Sequence, residues 1–252
     1  MSIRAWMRLV EAIMSPAAPP PVTETAAFQQ WFAGSKVVDK AGKPLRCYHG
    51  TQSDFHTFSN EDAPGRGGLL AFFSVKPQFA SSYASDERSP EVRAGAQVMP
   101  VYLRIVNPFD YRKDYHMAGS FYDETGGIQD RFESNRILMG LGWKIDNIDD
   151  VSTPLLTEKQ FTRALRKGSW DALEAPDFVE YIHDAGYDGI VLMENRSLNF
   201  AIFEANQVKS AIGNRGTFDP ESDHIGESAP ARDTGWRAFH RISRLGRKHP
   251  EV

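Results

Sequence analysis

The sequence is poor in the features that mark disulfide-rich, membrane and metal-binding proteins. Its 252 residues include a single cysteine, Cys47, which excludes an intrachain disulfide. It has no Cys/His cluster with the spacing of a zinc site. No apolar run approaches the roughly 20 residues that a membrane-spanning helix requires. The composition therefore predicts a protein without a bound metal, suited to a reducing compartment.

Charge and composition narrow the function classes further. The formal net charge is −4, with 41% hydrophobic and 25% charged residues. These values are ordinary for a globular protein and give no reason to expect nucleic-acid binding by the chain as a whole. Residues 1–14 are short and carry Glu11, so they lack the uninterrupted apolar stretch of a secretory signal peptide. We expect a cytoplasmic protein, or an effector secreted into a target cell.

Four segments are predicted along the chain. Apolar residues recur with helical spacing in residues 1–14, which predicts an amphipathic helix. Residues 15–22 are rich in proline and predict a semi-rigid linker. Residues 23–219 form the predicted globular domain. Residues 220–252 are polar, with a basic stretch from Arg232, and predict a disordered tail or a short basic amphipathic helix.

Within the predicted domain, short strands and helices follow one another at irregular spacing. Helices are predicted at 26–32, 77–85, 156–167 and 177–185. A hairpin is predicted at 37–49, and strands at 69–74, 98–106, 187–193, 199–203 and 209–212. Residues 112–150 have a less regular pattern. This mixture favours an α+β fold over a regular βαβ alternation.

Two motifs in the first part of the domain contain residues that can bind a flat, polar ligand. His49 ends a predicted strand and precedes Gly50 and Thr51. A glycine there lets the backbone approach a ligand closely, and an imidazole can hydrogen-bond a ribose hydroxyl. Phe72 and Tyr83 are placed to stack on a pyridinium ring. Taken singly, these motifs are more typical of a turn histidine and of core aromatics.

A third motif lies late in the chain, where a strand that includes Asn199 precedes Gln207-Val-Lys-Ser210. The three motifs in this order, with Gly186-Tyr-Asp-Gly189 and the strand at 100–108, resemble the ADP-ribosyltransferases of the poly(ADP-ribose) polymerase and diphtheria-toxin type, which share a His-Tyr-Glu signature. The chain is most similar to the branch found in phage polyvalent proteins and in bacterial toxins or effectors. The resemblance covers about residues 26–219.

The resemblance implies a fold, a substrate and a set of residue roles. The fold is α+β, with a split β-sheet core and flanking helices. NAD is a substrate and not a redox cofactor. His49 hydrogen-bonds the adenine-side ribose, and Gly50 holds the nicotinamide amide through its backbone with support from Thr51. Tyr83 stacks on the nicotinamide ring, with Phe72 in the place of a second stacking aromatic.

The sequence departs from the family signature at Asn199. This residue lies eight positions before Gln207, where the family usually has a glutamate that stabilises the developing positive charge. Asparagine keeps an acceptor oxygen and lacks the negative charge. Three explanations stay open: Asn199 suffices for transfer of a single unit, Glu194 or Glu204 replaces the carboxylate, or the site binds NAD without catalysis. Strand alternation puts Glu204 on the opposite face from Asn199, which favours Glu194.

The leading functional hypothesis is NAD-dependent transfer of a single ADP-ribose unit to a macromolecular acceptor, with His49, Tyr83 and Asn199 as catalytic residues. A protein is the default acceptor, and the basic tail from Arg232 leaves nucleic acid open. Two alternatives remain. One is a catalytically weak or inactive NAD-binding module, and the other is an NAD glycohydrolase that uses water as the acceptor.

Overall fold

A computed structural model describes residues 21–59, 71–84, 97–194, 196–214 and 217–226. The predicted helix at residues 1–14, most of the predicted linker and the basic stretch from Arg232 lie outside these ranges. Across the described ranges, no helix combines the length and the apolar character needed to cross a bilayer.

A seven-stranded mixed sheet lies at the centre of the described residues. Its strands are β1 (Cys47–Thr51), β2 (Ala71–Ser74), β3 (Gln97–Leu103), β4 (Pro108–Asp110), β5 (Gly189–Glu194), β6 (Ser197–Ile202) and β7 (Val208–Ser210). Their order in the sheet is β4-β5-β6-β2-β1-β3-β7. The β4–β5 pair is parallel, and the other neighbours are antiparallel.

The sheet is nearly divided between β1 and β2. Within the described residues one registered pair joins these strands, Tyr48 opposite Ser74. By contrast, β1 pairs with β3 along its whole length, and β2 does the same with β6. The end of β1 beyond Tyr48 therefore borders an opening between two half-sheets. This arrangement is the split core that the resemblance implies, in an α+β fold.

Helices cover one face of the β4-β5-β6-β2 half. The helices of the described residues are α1 (Ala26–Phe32), α2 (Pro77–Ala84), α3 (Tyr111–Asp114), α4 (Met117–Thr125), α5 (Arg131–Gly140), α6 (Glu158–Arg166), α7 (Trp170–Leu173) and α8 (Pro176–Asp184). The aromatic core between sheet and helices includes Phe109, Phe121, Phe161 and Phe178, all fully buried. Helix α7 has four residues, too few for apolar residues to recur with helical spacing, and it was not predicted from the sequence.

The prediction of an irregular segment at 112–150 is wrong for much of its length, because α3, α4 and α5 form there. The buried face of α5 includes Ser134 and Asn135, so its apolar periodicity is weak. Its start is fixed by Asp130, whose side chain accepts a hydrogen bond from the backbone N–H of Glu133. Gly126, with φ of +80°, ends α4.

The opposite face of the sheet has a second core. Phe73 and Phe200 lie opposite each other on β2 and β6, and both are buried in it. Ile225 joins this core, and its N–H donates to the carbonyl of His56. The structured part of the chain therefore extends past the predicted boundary at Asp219.

The Gln207 side chain links the turn between β6 and β7 to the chain segments that follow β3 and precede β5. Its Oε1 accepts hydrogen bonds from the N–H groups of Phe203 (3.0 Å) and Glu204 (2.9 Å). Its Nε2 donates to the carbonyls of Arg104 (3.0 Å) and Asp188 (2.7 Å). The side chain is 6% exposed and uses both ends of its amide. The late motif that includes Gln207 therefore has a structural role.

Candidate functional site

A cleft of about 670 Å³ opens on the helix-covered face, where the two half-sheets separate. Its lining residues are Tyr48, His49, Gly50, Thr51, Gln52, Phe72, Phe73, Ser74, Phe79, Ala80, Tyr83, Trp170, Glu174, Glu194 and Asn199. The volume lies within the range of about 300–1,000 Å³ that is typical of small-molecule sites. All six residues predicted from the sequence to contact NAD or act on it line this one cleft.

Sheet register explains how distant motifs reach the same face. Tyr48 is opposite Ser74, and Ser74 is opposite Asn199, so these three side chains lie on one side of the sheet. Because successive side chains alternate, Gly50 and Phe72 share that side. His49 belongs to the other face of β1 and lines the cleft through the opening between β1 and β2.

The His49 ring bridges the split in the sheet. Its Nδ1 lies 2.8 Å from the carbonyl oxygen of Phe72. A carbonyl only accepts hydrogen bonds, so Nδ1 carries the proton, and Nε2 of the neutral ring is an acceptor. Edge-to-face contact with Phe58, at 5.0 Å between ring centroids, and a tilted contact with Phe73 fix the ring plane. The histidine therefore enters the cleft in a defined orientation.

Gly50 is required by the approach of helix α2. A Cβ atom at this position would lie 1.8 Å from the backbone oxygen of Ala80 and 2.8 Å from its carbonyl carbon. Close approach of a ligand to the backbone, which the sequence predicts for this glycine, stays a prediction. The structure adds that the glycine lets α2 pack on β1, and this packing places Tyr83, near the end of α2, on the cleft wall.

Several aromatic side chains border the cleft, among them Phe72, Tyr83 and Trp170. Tyr83 is 58% exposed and contacts Phe79 at 5.7 Å between ring centroids. Phe72 packs edge-to-face on Trp170 at 5.1 Å and an interplanar angle of 70°. Trp170 belongs to α7, so the helical layer contributes to a site that is otherwise built from strands and α2.

Asn199 is buried and points its amide nitrogen at Glu194. The residue is 2% exposed, and its Nδ2 donates to Oε2 of Glu194 at 3.3 Å. No donor among the described residues reaches its Oδ1, which is itself buried. The oxygen of Asn199 is therefore shielded, while its nitrogen binds a neighbouring carboxylate.

Glu194 lies at the end of β5, on the cleft wall, where it accepts a hydrogen bond from Asn199 at 3.3 Å. Burial raises the pKa of Glu194 above its usual range, and the nearby Trp170 and Asn199 side chains partly oppose that shift. Glu204, the other carboxylate considered from the sequence, is exposed and caps a short 3₁₀ turn at Ala205–Gln207, away from the cleft lining.

The hairpin that includes Glu194 is tied to β2 and the start of α2. The Ser74 and Ser197 hydroxyls lie 2.8 Å apart and are buried. Lys76 donates through Nζ to the carbonyl of Arg196 at 3.1 Å. Arg196 has a φ of +58°, as the tight connection between β5 and β6 requires. These contacts fix the position of Glu194 relative to Phe72 and Asn199.

The family model for the ADP-ribosyltransferase in polyvalent proteins matches residues 39–218, which include every residue of the cleft lining. The chain belongs to this family. Comparison with curated proteins and with solved structures finds no match. Family membership agrees with the split sheet and makes an ADP-ribosyl transfer chemistry the general expectation for the cleft.

The cleft residues that the sequence did not single out include Trp170 and Glu174. Both come from the segment around α7, and the resemblance does not assign them a role. An N-cap position at Ser169 directly before an aromatic residue is the signal that was available. Among the described residues, no group of three or more His, Cys, Asp or Glu side chains is arranged to hold a metal ion.

Proposed function

We propose that the protein transfers a single ADP-ribose unit from NAD to a macromolecular acceptor, and that a protein is this acceptor. The observation that supports it is the convergence of four residues from three elements on one cleft of a member of this family: His49 and Gly50 of β1, Phe72 of β2 and Tyr83 of α2. The roles are those that the resemblance implies for these residues.

The cleft has partners for both the adenine side and the nicotinamide side of NAD. His49, whose Nδ1 lies 2.8 Å from the carbonyl oxygen of Phe72, hydrogen-bonds a hydroxyl of the adenine-side ribose, as the resemblance implies. Gly50 holds the nicotinamide amide through its backbone groups, and Thr51, whose Oγ1 accepts from the N–H of Ser53, stabilises the following turn. Tyr83 and Phe72 stack on the nicotinamide ring.

The reaction breaks the bond between C1′ of the ribose and the pyridinium nitrogen of NAD. The bonding electrons leave with nicotinamide, which becomes neutral, and positive charge develops on the ribose ring. A nucleophilic atom of the acceptor then bonds to C1′ and releases its proton. The products are ADP-ribosylated acceptor, nicotinamide and one proton. A negative group close to the ribose lowers the barrier, because it stabilises charge that is absent from the ground state of the sugar.

The decisive experiment combines two measurements on purified protein, namely nicotinamide release and incorporation of label from NAD labelled in its adenylate half, each with and without cell lysate. We expect lysate-dependent release and a labelled macromolecule, both lost in His49→Ala. The exposed histidine in His116→Ala provides a matched control that keeps activity.

The two alternatives give different results. Release of nicotinamide with free ADP-ribose and no labelled macromolecule would identify a glycohydrolase. NAD binding without release in any lysate would identify a binding module and contradict the transferase. If the label is removed by protease, the acceptor is a protein, and if it is removed by nuclease, the acceptor is a nucleic acid.

A further inference from the structure

We propose that Glu194 supplies the carboxylate of the transfer reaction and that Asn199 and Trp170 act as positioning residues for it. This inference rests on the proposed function of the same cleft. It assigns the negative charge to the end of β5, in place of the β6 position where the family usually has glutamate.

The Asn199 oxygen is inaccessible to a substrate in the cleft. The residue is 2% exposed and its Oδ1 is buried, so a ribose hydroxyl in the cleft does not reach that atom without rearrangement. The Asn199 nitrogen is also engaged, because it donates to Glu194 at 3.3 Å. Asn199 therefore acts on the substrate through Glu194.

Glu194 is held on the cleft wall, where its carboxylate can contact a ligand. It lines the cleft with Phe72, Tyr83 and His49. The Asn199 amide donates to its carboxylate at 3.3 Å and the Trp170 side chain lies close enough to favour its ionised form, and both groups come from outside its own strand. A carboxylate has about four acceptor positions, so these two groups leave acceptor capacity for a ribose hydroxyl or for the acceptor nucleophile.

The register of β5 and β6 places Glu194 and Asn199 on the same face of the hairpin. Leu192 lies opposite Asn199, and Glu194 lies opposite Ser197, so Glu194 and Asn199 are diagonal neighbours on one face of the hairpin. A carboxylate on this neighbouring position reaches the same part of the cleft as one at residue 199. In this arrangement the negative charge near the ribose belongs to a side chain of β5 rather than to one of β6.

Glu194 takes part in the same bond breaking and bond formation at C1′ that the transfer reaction requires. As the bond between C1′ and nicotinamide breaks, the Glu194 carboxylate stabilises the positive charge on the ribose. As the acceptor nucleophile bonds to C1′, the proton of that nucleophile passes to the carboxylate and then to solvent. No oxidant, reductant or metal is needed. Glu194 must be ionised for this step, so the rate should fall on the acid side of its pKa.

The test compares five forms of the full chain: wild type, Glu194→Gln, Asn199→Glu, the double variant that carries both changes, and the control Glu204→Gln. For each form we would measure the turnover number for nicotinamide release with lysate, and the dissociation constant for NAD. Glu204→Gln changes the exposed carboxylate and keeps an acceptor for the 3₁₀ turn. Melting temperatures show that each variant is folded.

We expect Glu194→Gln to lower turnover by about 10²–10³-fold, as loss of a preorganised electrostatic group does, with an NAD dissociation constant close to wild type. The double variant regains activity because the carboxylate returns at residue 199. Glu204→Gln has wild-type turnover. A folded Glu194→Gln variant whose turnover is within threefold of wild type would overturn the role of Glu194.

Failure of the proposed function is distinguishable from failure of this inference. If wild type releases nicotinamide and labels an acceptor, and a folded Glu194→Gln variant does so equally well, the transferase function stands and the role of Glu194 fails. If wild type binds NAD and releases nothing, the transferase function is contradicted and the role of Glu194 with it, and activity in Asn199→Glu would then show that the cleft lacks only a carboxylate at residue 199.

Discussion

Two buried side-chain amides, Gln207 and Asn199, lie on neighbouring parts of the chain and differ in their partners. Gln207 uses both ends of its amide, and all four of its hydrogen bonds reach backbone groups. Asn199 makes one hydrogen bond, to the Glu194 carboxylate, and its oxygen has no donor among the described residues. The first amide stabilises the fold, whereas the second positions a charged group in the cleft.

A third buried amide shows which part of this contrast matters. Oδ1 of Asn135 also has no partner among the described residues, while its Nδ2 donates to the carbonyls of Ile148 and Asp150. An unpaired oxygen by itself therefore does not mark a functional site. The distinguishing feature of Asn199 is that its nitrogen binds a carboxylate that lines the cleft.

The largest expected effect follows from replacing the fully bonded amide. Gln207→Leu should lower the free energy of unfolding by about 4 kcal/mol, because four backbone groups lose their partners. Asn199→Leu should lower it by about 1 kcal/mol or less, since the change also removes the unpaired oxygen. Urea denaturation of both variants measures the difference. Equal losses would contradict the separation of fold and function between these two residues.

A second large effect is expected at Gly50, where the fold and the cleft meet. Gly50→Ala inserts a methyl group against the backbone of Ala80, so α2 must shift away from β1. Overpacking of this kind costs about 1–3 kcal/mol. Because α2 includes Tyr83, affinity for NAD should fall in the same variant. Thermal unfolding and NAD titration test this, and Gly119→Ala is a control, since a Cβ there meets only the Glu158 side chain, at 3.6 Å.

A smaller effect is expected when one donor to Glu194 is removed. Trp170→Phe keeps an aromatic ring against Phe72 and loses the indole N–H. Turnover should fall about tenfold, since a hydrogen bond to a charged group contributes about 1.5 kcal/mol. Melting temperature should stay close to that of wild type. If turnover is unchanged in a stably folded Trp170→Phe, the indole does not position Glu194.

The smallest effect concerns the pH dependence of turnover. Burial raises the pKa of Glu194, and the hydrogen bond from Asn199 lowers it. Asn199→Ala removes the lowering contribution, so the acid limb of the turnover–pH profile should move to higher pH. A purely structural role for Asn199 would reduce turnover at every pH and leave the limb in place.

The raised pKa of Glu194 also makes the stability of the folded protein depend on pH. The folded Glu194 carboxyl binds its proton more tightly than the unfolded one, since its pKa is raised. Stability is therefore lost as pH rises from the unfolded pKa through the folded pKa. Glu194→Gln removes this loss, so its melting temperature at neutral pH should equal or exceed that of wild type while its turnover falls.

The sequence predicted those parts of the molecule that depend on local patterns. Helix α1 forms at the predicted residues, and the strands with His49 and Phe72 lie where their motifs indicated. Periodicity did not predict helix α7, because four residues are too few to show one, although Ser169 at its N-cap is a local signal for a helix start. The bond between Asn199 and Glu194 depends on the register of a hairpin, which spacing alone does not determine. The need for glycine at residue 50 depends on how closely a helix approaches, a tertiary property.

The most direct test of this account is turnover for nicotinamide release by Glu194→Gln relative to wild type, with NAD binding measured on the same samples. We predict a loss of about 10²–10³-fold in turnover with NAD affinity retained. Full turnover in a folded Glu194→Gln protein would contradict the account, because the cleft would then work without the carboxylate that Asn199 holds.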